Sequence, residues 1–383
     1  MIGKSKNYKY LGTIISNNGS FKMNEINQKK KGLRASYLIM RNIGLYSNVS
    51  TALSIYEKTV EPILTYNSEV AMAFISKSWS YKKFANKMWN HAQEINKTNI
   101  SVIRQLLGVH KKSSNMAVLG ETGKHPICMK IYINLMKYYL RLVNSNNVLL
   151  QEALETNKRL FQRKKDSWMK IIHFLLKVTD LYGAKLPTSN QEQDCFIKMF
   201  KEKLNFCFET WWKNEINTSP KLDFYSSLKK HFRFESYLDN LDRDIRLNVT
   251  RLRISSHCLP VEVLRYQKKK MERAERTCDI CNTPSIGDEK HYLSDCSNRK
   301  IREIRKNFHA EITPKVPQLI HFSSYEFMKY CLTMADETIQ IHTGIFVKKL
   351  LRTYKEEKTV PPLYKLCTKA LSKMNVDTSE LLG

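Results

Sequence analysis

The sequence is poor in the residues that interrupt helices. It has 12 Gly and 10 Pro among 383 residues, which is few for a protein built mainly of strands and turns. It also lacks any run of about 18 apolar residues, and its amino-terminal charges are not followed by an apolar segment. We therefore expect a mainly helical, intracellular protein, nuclear or cytoplasmic, that is neither secreted nor membrane-spanning. Its length predicts two or three domains.

Acidic residues are also scarce. There are 36 Asp and Glu against 64 Lys and Arg, which gives a formal net charge of +28. Solubility of a small domain needs a net charge of only about 2 to 8, so this excess predicts a polyanionic partner. Nucleic acid, RNA or DNA, is favoured over an anionic membrane because no basic amphipathic terminus or lipidation signal is present.

Three of the nine cysteines lie within nineteen residues and share that stretch with a histidine. Cys278, Cys281, His291 and Cys296 offer three thiolates and one imidazole, which is the ligand set of a tetrahedral structural zinc site. The alternative is a chance group of buried thiols, as expected for the other cysteines, which are scattered singly at 128, 195, 207, 258, 331 and 367. We predict a zinc knuckle that holds a structural Zn²⁺, and thiolate ligands fit a reducing compartment.

Helical periodicity dominates the rest of the chain. Residues 8–16 read as a β segment closed by a turn at 17–19, and we expect a hairpin at the start of the chain. Apolar residues then recur at helical spacing from about residue 22 to residue 107, and Pro62 is expected to kink or divide one helix. Gly183 to Asn190, with Pro187, reads as a loop between two later helices.

Several blocks resemble the reverse transcriptases of non-LTR (LINE-type, jockey-like) retrotransposons. They are residues 8–19 (YKYLGTIISNNG), 56–66 (YEKTVEPILTY), 106–123 (LLGVHKKSSNMAVLGETG), 250–257 (TRLRISSH) and the Cys/His cluster. These blocks keep the family's order and cover roughly residues 7 to 305. The resemblance implies the region after the palm, with a helical thumb followed by the zinc module.

The sequence also departs from that family. Polymerisation by two metal ions needs paired carboxylates, which the family carries in a Tyr/Phe-Ala-Asp-Asp turn. The chain has no Asp-Asp pair; the nearest approximation, residues 334–337 (MADE), lies after the zinc cluster and reads as the start of a surface helix. The family's Glu-Asp-Glu before the ligand His and its Cys-Pro after it are replaced by 287–291 (GDEKH) and Cys296-Ser297.

No other catalytic signature is present in the sequence. His-Glu-x-x-His, Walker and nucleophile-elbow motifs do not occur, and neither does the Pro-Asp pair of a restriction-type endonuclease. The resemblance points to an RNA-directed DNA polymerase, but without its carboxylates we expect the chain to be inactive alone.

We predict five parts along the chain. They are a residual palm-edge β-hairpin (1–21), a thumb-like helical bundle (22–110), a helical linker domain (111–264), a zinc-binding module with basic flanks (265–310) and a C-terminal helical tail (311–383). The tail shows helical patterns, the last at 361–374, but carries no further signal.

Basic residues cluster on predicted helices and on both flanks of the zinc module. Guanidinium forks suit phosphates, although any single arginine could instead be a solvated residue paired with Asp242 or Asp244. The predicted nucleic-acid contacts are Lys29, Lys30, Lys31, Arg34, Arg246, Arg251, Arg253, Lys268, Lys269, Lys270, Arg273, Arg276, Arg299, Lys300 and Arg302.

The predicted function is therefore the nucleic-acid-holding, palm-less C-terminal portion of a LINE-type reverse transcriptase. Its partners would be RNA, DNA or both, together with the missing polymerase and endonuclease portion of the same element. One alternative is a domesticated protein–protein adaptor without nucleic-acid binding, and another is a decaying gene copy.

Overall fold

A computed structural model describes residues 6–43, 48–72, 79–90, 93–165, 167–267, 271–281 and 283–358. The fold is mainly α with one antiparallel hairpin, which confirms the predicted fold class. Four predicted features lie outside the described residues: Lys268, Lys269, Lys270 and the helical pattern at 361–374, with Cys367 in it. Within the described residues, no helix combines the length and the apolar content that crossing a bilayer requires.

The hairpin pairs β1 (Asn7–Tyr10) with β2 (Thr13–Ser16), so that Asn7 faces Ser16 and Tyr10 faces Thr13. The tight turn between the strands lies at Leu11 and Gly12, both with positive φ, and not at the predicted 17–19. Two-residue turns of this kind match the twist of paired strands but normally carry Asn-Gly. Since Leu11 is an unusual residue there, the sequence pointed to the later Asn-Asn-Gly, which instead turns the chain into the first helix.

The α-helices of the described residues are, in chain order, α1 (Lys22–Ile43), α2 (Val49–Thr59), α3 (Glu61–Leu64), α4 (Ser68–Ala71), α5 (Tyr81–Lys87), α6 (Gln93–Leu107), α7 (Asn115–Thr122), α8 (Ile127–Val143), α9 (Val148–Gln162), α10 (Met169–Val178), α11 (Asn190–Thr218), α12 (Asp223–Leu228), α13 (Tyr237–Asn240), α14 (Arg243–Arg253), α15 (Pro260–Val263), α16 (Arg299–Ile312), α17 (Ser324–Thr333) and α18 (Glu337–Glu357). As predicted, a loop separates α10 from α11, and a break next to Pro62 separates α2 from α3.

The chain folds into two compact units. Unit 1 contains the described residues of 1–106 and 122–215, and unit 2 contains those of 107–121 and 216–383. Each unit combines segments from several of the five predicted parts, and that five-part division stays a prediction.

Unit 1 is a helical bundle around an apolar cluster. Its buried members come from α2, α3, α6 and α8, from the residue between α2 and α3 and from the chain after α4: Tyr56, Val60, Leu64, Met72, Ile95, Val102, Ile127 and Ile131. Helix α1 lies so close to α3 that a Cβ on Gly32 would be 2.2 Å from a Leu64 methyl carbon. Glycine at this position allows the two backbones to approach.

Unit 2 is organised around α18. A Cβ on Gly344 of α18 would lie 2.4 Å from an Ile245 methyl carbon of α14, so these helices pack closely. Helix α16 also packs on α18, where the Phe308 and Phe346 rings stack with centroids 4.4 Å apart. Helix α18 begins, as predicted, at residues 334–337, where the Asp336 side chain accepts a hydrogen bond from the Ile339 amide (2.9 Å).

Candidate metal centre and its cationic surroundings

A narrow backbone turn in unit 2 carries Cys278 and Cys281. Thr277 pairs with Ile286 in an antiparallel bridge, and the Cys278 amide donates to the Ser285 carbonyl (2.8 Å). The chain between these two residues must reverse direction within a few residues. The Cys-x2-Cys spacing places both sulfurs in this reversal, as a shared metal ligand pair requires.

The other two predicted ligands lie at the ends of a single helical turn. His291 begins the π-helical turn His291–Asp295, and Cys296 follows it directly. The Asp288 carboxylate accepts the His291 amide (3.0 Å), and the Cys296 amide donates to the His291 carbonyl (2.7 Å). These bonds hold the backbone segment that carries the His291 imidazole and the Cys296 thiol.

The four predicted ligands meet at one point. Their candidate ligand atoms all lie within 4.8 Å of one another, all four residues are buried, and none of the three cysteines is in a disulfide bond. The Cys281 Sγ and His291 Nε2 atoms are 3.4 Å apart. Sulfur and nitrogen ligands of one tetrahedral ion are about 3.5 to 3.8 Å apart, so the arrangement could hold a metal ion.

The Cys278 thiol is prepared for deprotonation, whereas its hydrogen bond with Cys296 raises the pKa of the Cys296 thiol. Hydrogen bonds from Cys296 above all, and from His291 and the Tyr292 hydroxyl, lower the pKa of the Cys278 thiol against the opposing effect of burial. The Tyr292 Oη lies 3.1 Å from the Cys278 Sγ. Because the thiolate is the form that binds metals, Cys278 is the readiest of these ligands, and Cys296 would lose its proton as an ion binds.

The imidazole is oriented by packing. His291 Nδ1 is buried without a hydrogen-bond partner among the described residues, and the ring contacts Tyr292 edge to face with centroids 5.2 Å apart. Metal-bound histidines commonly donate their second N–H to a carboxylate or carbonyl, so this ring is held differently. Because Nε2 is the ring nitrogen that faces the Cys281 sulfur, Nε2 is the atom that would bind an ion.

Helix α16 and the ligand segment are joined by buried polar contacts. The Arg305 guanidinium is buried and donates to the Cys296 carbonyl (2.6 Å), and Asn298 donates to the Ile280 carbonyl (3.2 Å). From α18, the Tyr354 hydroxyl donates to Asp279 (3.0 Å) between the first two cysteines. Tyr354 was missed in the sequence analysis, because no local pattern links it to a turn 75 residues earlier.

Glu289 connects the ligand segment to the loop after α14. The buried Glu289 carboxylate accepts hydrogen bonds from Ser255 (2.6 Å) and, through Nε2, from His257 (2.8 Å). The Leu259 amide donates to His257 Nδ1, which leaves the proton of the neutral ring on Nε2. Since both Ser255 and His257 contact the same carboxylate and not each other, this is a structural anchor and not a nucleophile with its base.

Three of the arginines predicted to contact nucleic acid, Arg246, Arg253 and Arg276, are buried and have partners inside the fold. The guanidinium of Arg246 donates to the Leu238 carbonyl, and that of Arg276 donates to the carbonyls of Met271 and Val261. Arg253, 1% exposed, donates to the carboxylates of Glu121 (3.0 and 3.1 Å) and Glu235 (3.0 Å). Their burial and their partners inside the fold give each of these arginines a structural role.

Other predicted contacts are partly used by the protein. Arg251 donates twice to the Gly108 carbonyl, Arg273 pairs with Asp288 (2.9 Å) and Lys300 pairs with Glu357 (2.8 Å). In unit 1, Lys29 pairs with Glu94 (2.6 Å), whereas Lys30, Lys31 and Arg34 are exposed on α1.

One face of α16 presents cations to solvent directly after the fourth ligand. Arg299, Arg302 and Lys306 are exposed, and their spacing of three and four residues places them on one side of the helix. None of the three forms an ion pair with the other described residues. We call these three residues the α16 cationic face.

Comparison with protein-family models, with curated proteins and with solved structures finds no match to this chain.

Proposed function

We propose that the chain binds nucleic acid through the α16 cationic face, on a module that a structural zinc ion holds together. The observation that carries the proposal is the direct succession of a closed Cys-Cys-His-Cys cluster and an exposed, unpaired cationic helix face. A net charge of +28 supports the same conclusion, because phosphates are the common polyanions that such a surface attracts.

Zinc is the ion that the ligand chemistry favours. Three thiolates and one imidazole suit Zn²⁺, and four protein ligands leave no open position for catalysis. Cys278, Cys281, His291 and Cys296 would hold the ion. When bound, it would supply a cross-link between the turn and the start of α16, and no step of a reaction.

We further propose that the chain is the palm-less C-terminal portion of a LINE-type reverse transcriptase. The resemblance of residues 7–305 to the post-palm region supports this, as does the order of hairpin, helical bundle and Cys/His cluster. In such an enzyme, this portion would hold template RNA, primer or target DNA while a palm elsewhere polymerises. The chain itself carries no paired aspartates, and we expect no primer extension from it.

Neutralising the α16 cationic face should weaken binding to single-stranded RNA and reduce its salt dependence. Each phosphate contact on a single strand contributes about −0.7 to the slope of log K against log salt concentration. For the triple variant R299Q/R302Q/K306Q, we expect that slope to become less negative by about 2. Binding would be measured by fluorescence anisotropy with a labelled strand at several salt concentrations.

A matched control removes the same charge from another helix. Lys198, Lys201 and Lys213 are exposed on α11 in unit 1, and replacing them with Gln should leave the slope nearly unchanged. An equal loss in the control would mean that binding follows overall charge and not the α16 cationic face. A slope unaffected in the α16 variant would contradict the proposal.

A protein–protein adaptor is the second candidate, and one observation favours it. In unit 1, Val148 and Leu149 at the start of α9 are 77% and 75% exposed, and Leu150 lines an apolar groove with Tyr138 and Trp168. Exposed apolar side chains beside a groove are typical of protein contacts. An adaptor would show no affinity for RNA at any salt concentration, so the same titration separates the two functions.

A further inference from the structure

A second cationic site lies in unit 2, in a pocket of about 340 Å³ between two segments. One wall is the end of α12 and the chain that follows it, from Ser227 to Glu235, and the other is α17 with Phe322 just before it. Ligand sites in proteins measure roughly 300 to 1,000 Å³, so this pocket is of the size for one small ligand. A nucleic-acid duplex could not enter it.

The charge of the pocket is positive. Its lining contains four cations, Lys229, Lys230, Arg233 and Lys329, against two carboxylates, Glu235 and Glu326, which leaves two positive charges with His231 neutral. The carboxylates are already engaged, because Glu235 pairs with Lys229 and Glu326 pairs with Lys329 (3.0 Å). Arg233 is exposed and forms no ion pair within the described part of the chain. A guanidinium in this state suits a phosphate.

Aromatic rings complete the lining. Phe322 is 46% exposed at the pocket, and the Tyr330 ring meets it edge to face with centroids 6.1 Å apart. An exposed Phe beside a second ring offers a flat apolar surface to another planar group. Nucleobases stack on such side chains with about 1 to 3 kcal/mol per base.

The wall that carries the cations is fixed from inside. The Lys229 side chain is buried, and its ammonium group donates to the Arg233 carbonyl (2.7 Å) and to Glu235. Glu235 in turn accepts a hydrogen bond from the buried Arg253 (3.0 Å). The loop that presents Lys230, His231 and Arg233 is therefore held in shape before any ligand arrives, which lowers the entropic cost of binding.

We propose that this pocket binds a single phosphorylated nucleotide, with its base against Phe322 and Tyr330 and its phosphate at Arg233 and Lys230. The exposed Phe322 ring and the Arg233 guanidinium match the two chemical parts of that ligand, the base and the phosphate. The nucleotide could be free or could be the 5′-phosphorylated end of a strand. The inference extends the proposed function but depends on different residues, because none of the α16 cationic face lines the pocket.

The test is calorimetric titration of the full chain with adenosine 5′-monophosphate, adenosine and inorganic phosphate. We expect saturable binding of the monophosphate at least tenfold tighter than that of either fragment. Arg233→Gln and Phe322→Ala should each weaken it about tenfold or more. Lys315→Gln, an exposed cation outside the pocket, should leave it unchanged.

A short strand with and without a 5′-phosphate distinguishes the two sources. Tighter binding of the 5′-phosphorylated strand than of the unphosphorylated strand, lost in Arg233→Gln, identifies a strand end, whereas equal binding of the two strands identifies a free nucleotide. The R299Q/R302Q/K306Q variant should retain monophosphate binding. Nucleotide binding in the pocket and strand binding at the α16 cationic face are therefore tested independently of each other. No saturable monophosphate binding up to millimolar concentration, or wild-type affinity in both pocket variants, would overturn the proposal.

Discussion

Replacing Cys281 with Ser should release the metal ion and unfold the module around it. The segment has a small core of its own, and four side chains from a turn and a helix start converge on one point. Structural zinc sites contribute about 10 to 16 kcal/mol of apparent binding free energy in finger peptides, which is comparable to the whole stability of a domain. We expect less than one ion per chain in C281S and rapid proteolysis between residues 271 and 312.

A matched control for this variant is Cys258→Ser. Cys258 is a partly buried free thiol of the same unit and is not one of the four clustered ligands. This variant should keep a full complement of metal and resist proteolysis like the wild type. If C281S also kept its metal and its resistance, the cluster would not be a metal site.

Replacing Arg253 with Met should cost about 3 to 5 kcal/mol of unfolding free energy. The guanidinium is buried between Glu121 and Glu235, and its removal leaves a buried carboxylate of Glu121 without its cation. Arg243→Met, on the same helix but partly exposed, should cost less than about 0.5 kcal/mol. Urea-induced unfolding, followed by circular dichroism, measures both.

A double substitution separates the ion pair from simple loss of packing. Glu121→Gln combined with Arg253→Met should cost less than the sum of the single changes, because the second change removes the charge that the first left unpaired. Additive costs, or an Arg253→Met variant as stable as Arg243→Met, would contradict the assignment of Arg253 to a buried ion-pair network.

Local patterns in the sequence predicted the features that depend on neighbouring residues. The helices follow from apolar periodicity, the division between α2 and α3 follows from Pro62, and α18 starts at residues 334–337, which read as a helix start. The four metal-binding candidates were found because ligand spacing is a local property.

The buried arginines show why features that depend on distant residues could not be predicted from the sequence. Arg246, Val249, Thr250 and Arg253 recur at helical spacing, and the structure buries this whole face of α14. The sequence was interpreted with these arginines on the opposite, solvent-facing side, because arginine is rarely buried without a partner. The partner of Arg253, Glu121, is 132 residues away, and no pattern along the chain connects the two.

The metal content of the purified chain, together with its visible spectrum in the cobalt form, decides whether the Cys/His cluster is a structural metal site. We expect one zinc ion per chain in protein isolated without chelators, and replacement by Co²⁺ should give the intense visible bands of a tetrahedral thiolate site. A chain that folds with no stoichiometric metal, or whose cobalt form shows only the weak bands of octahedral coordination, would contradict the central claim.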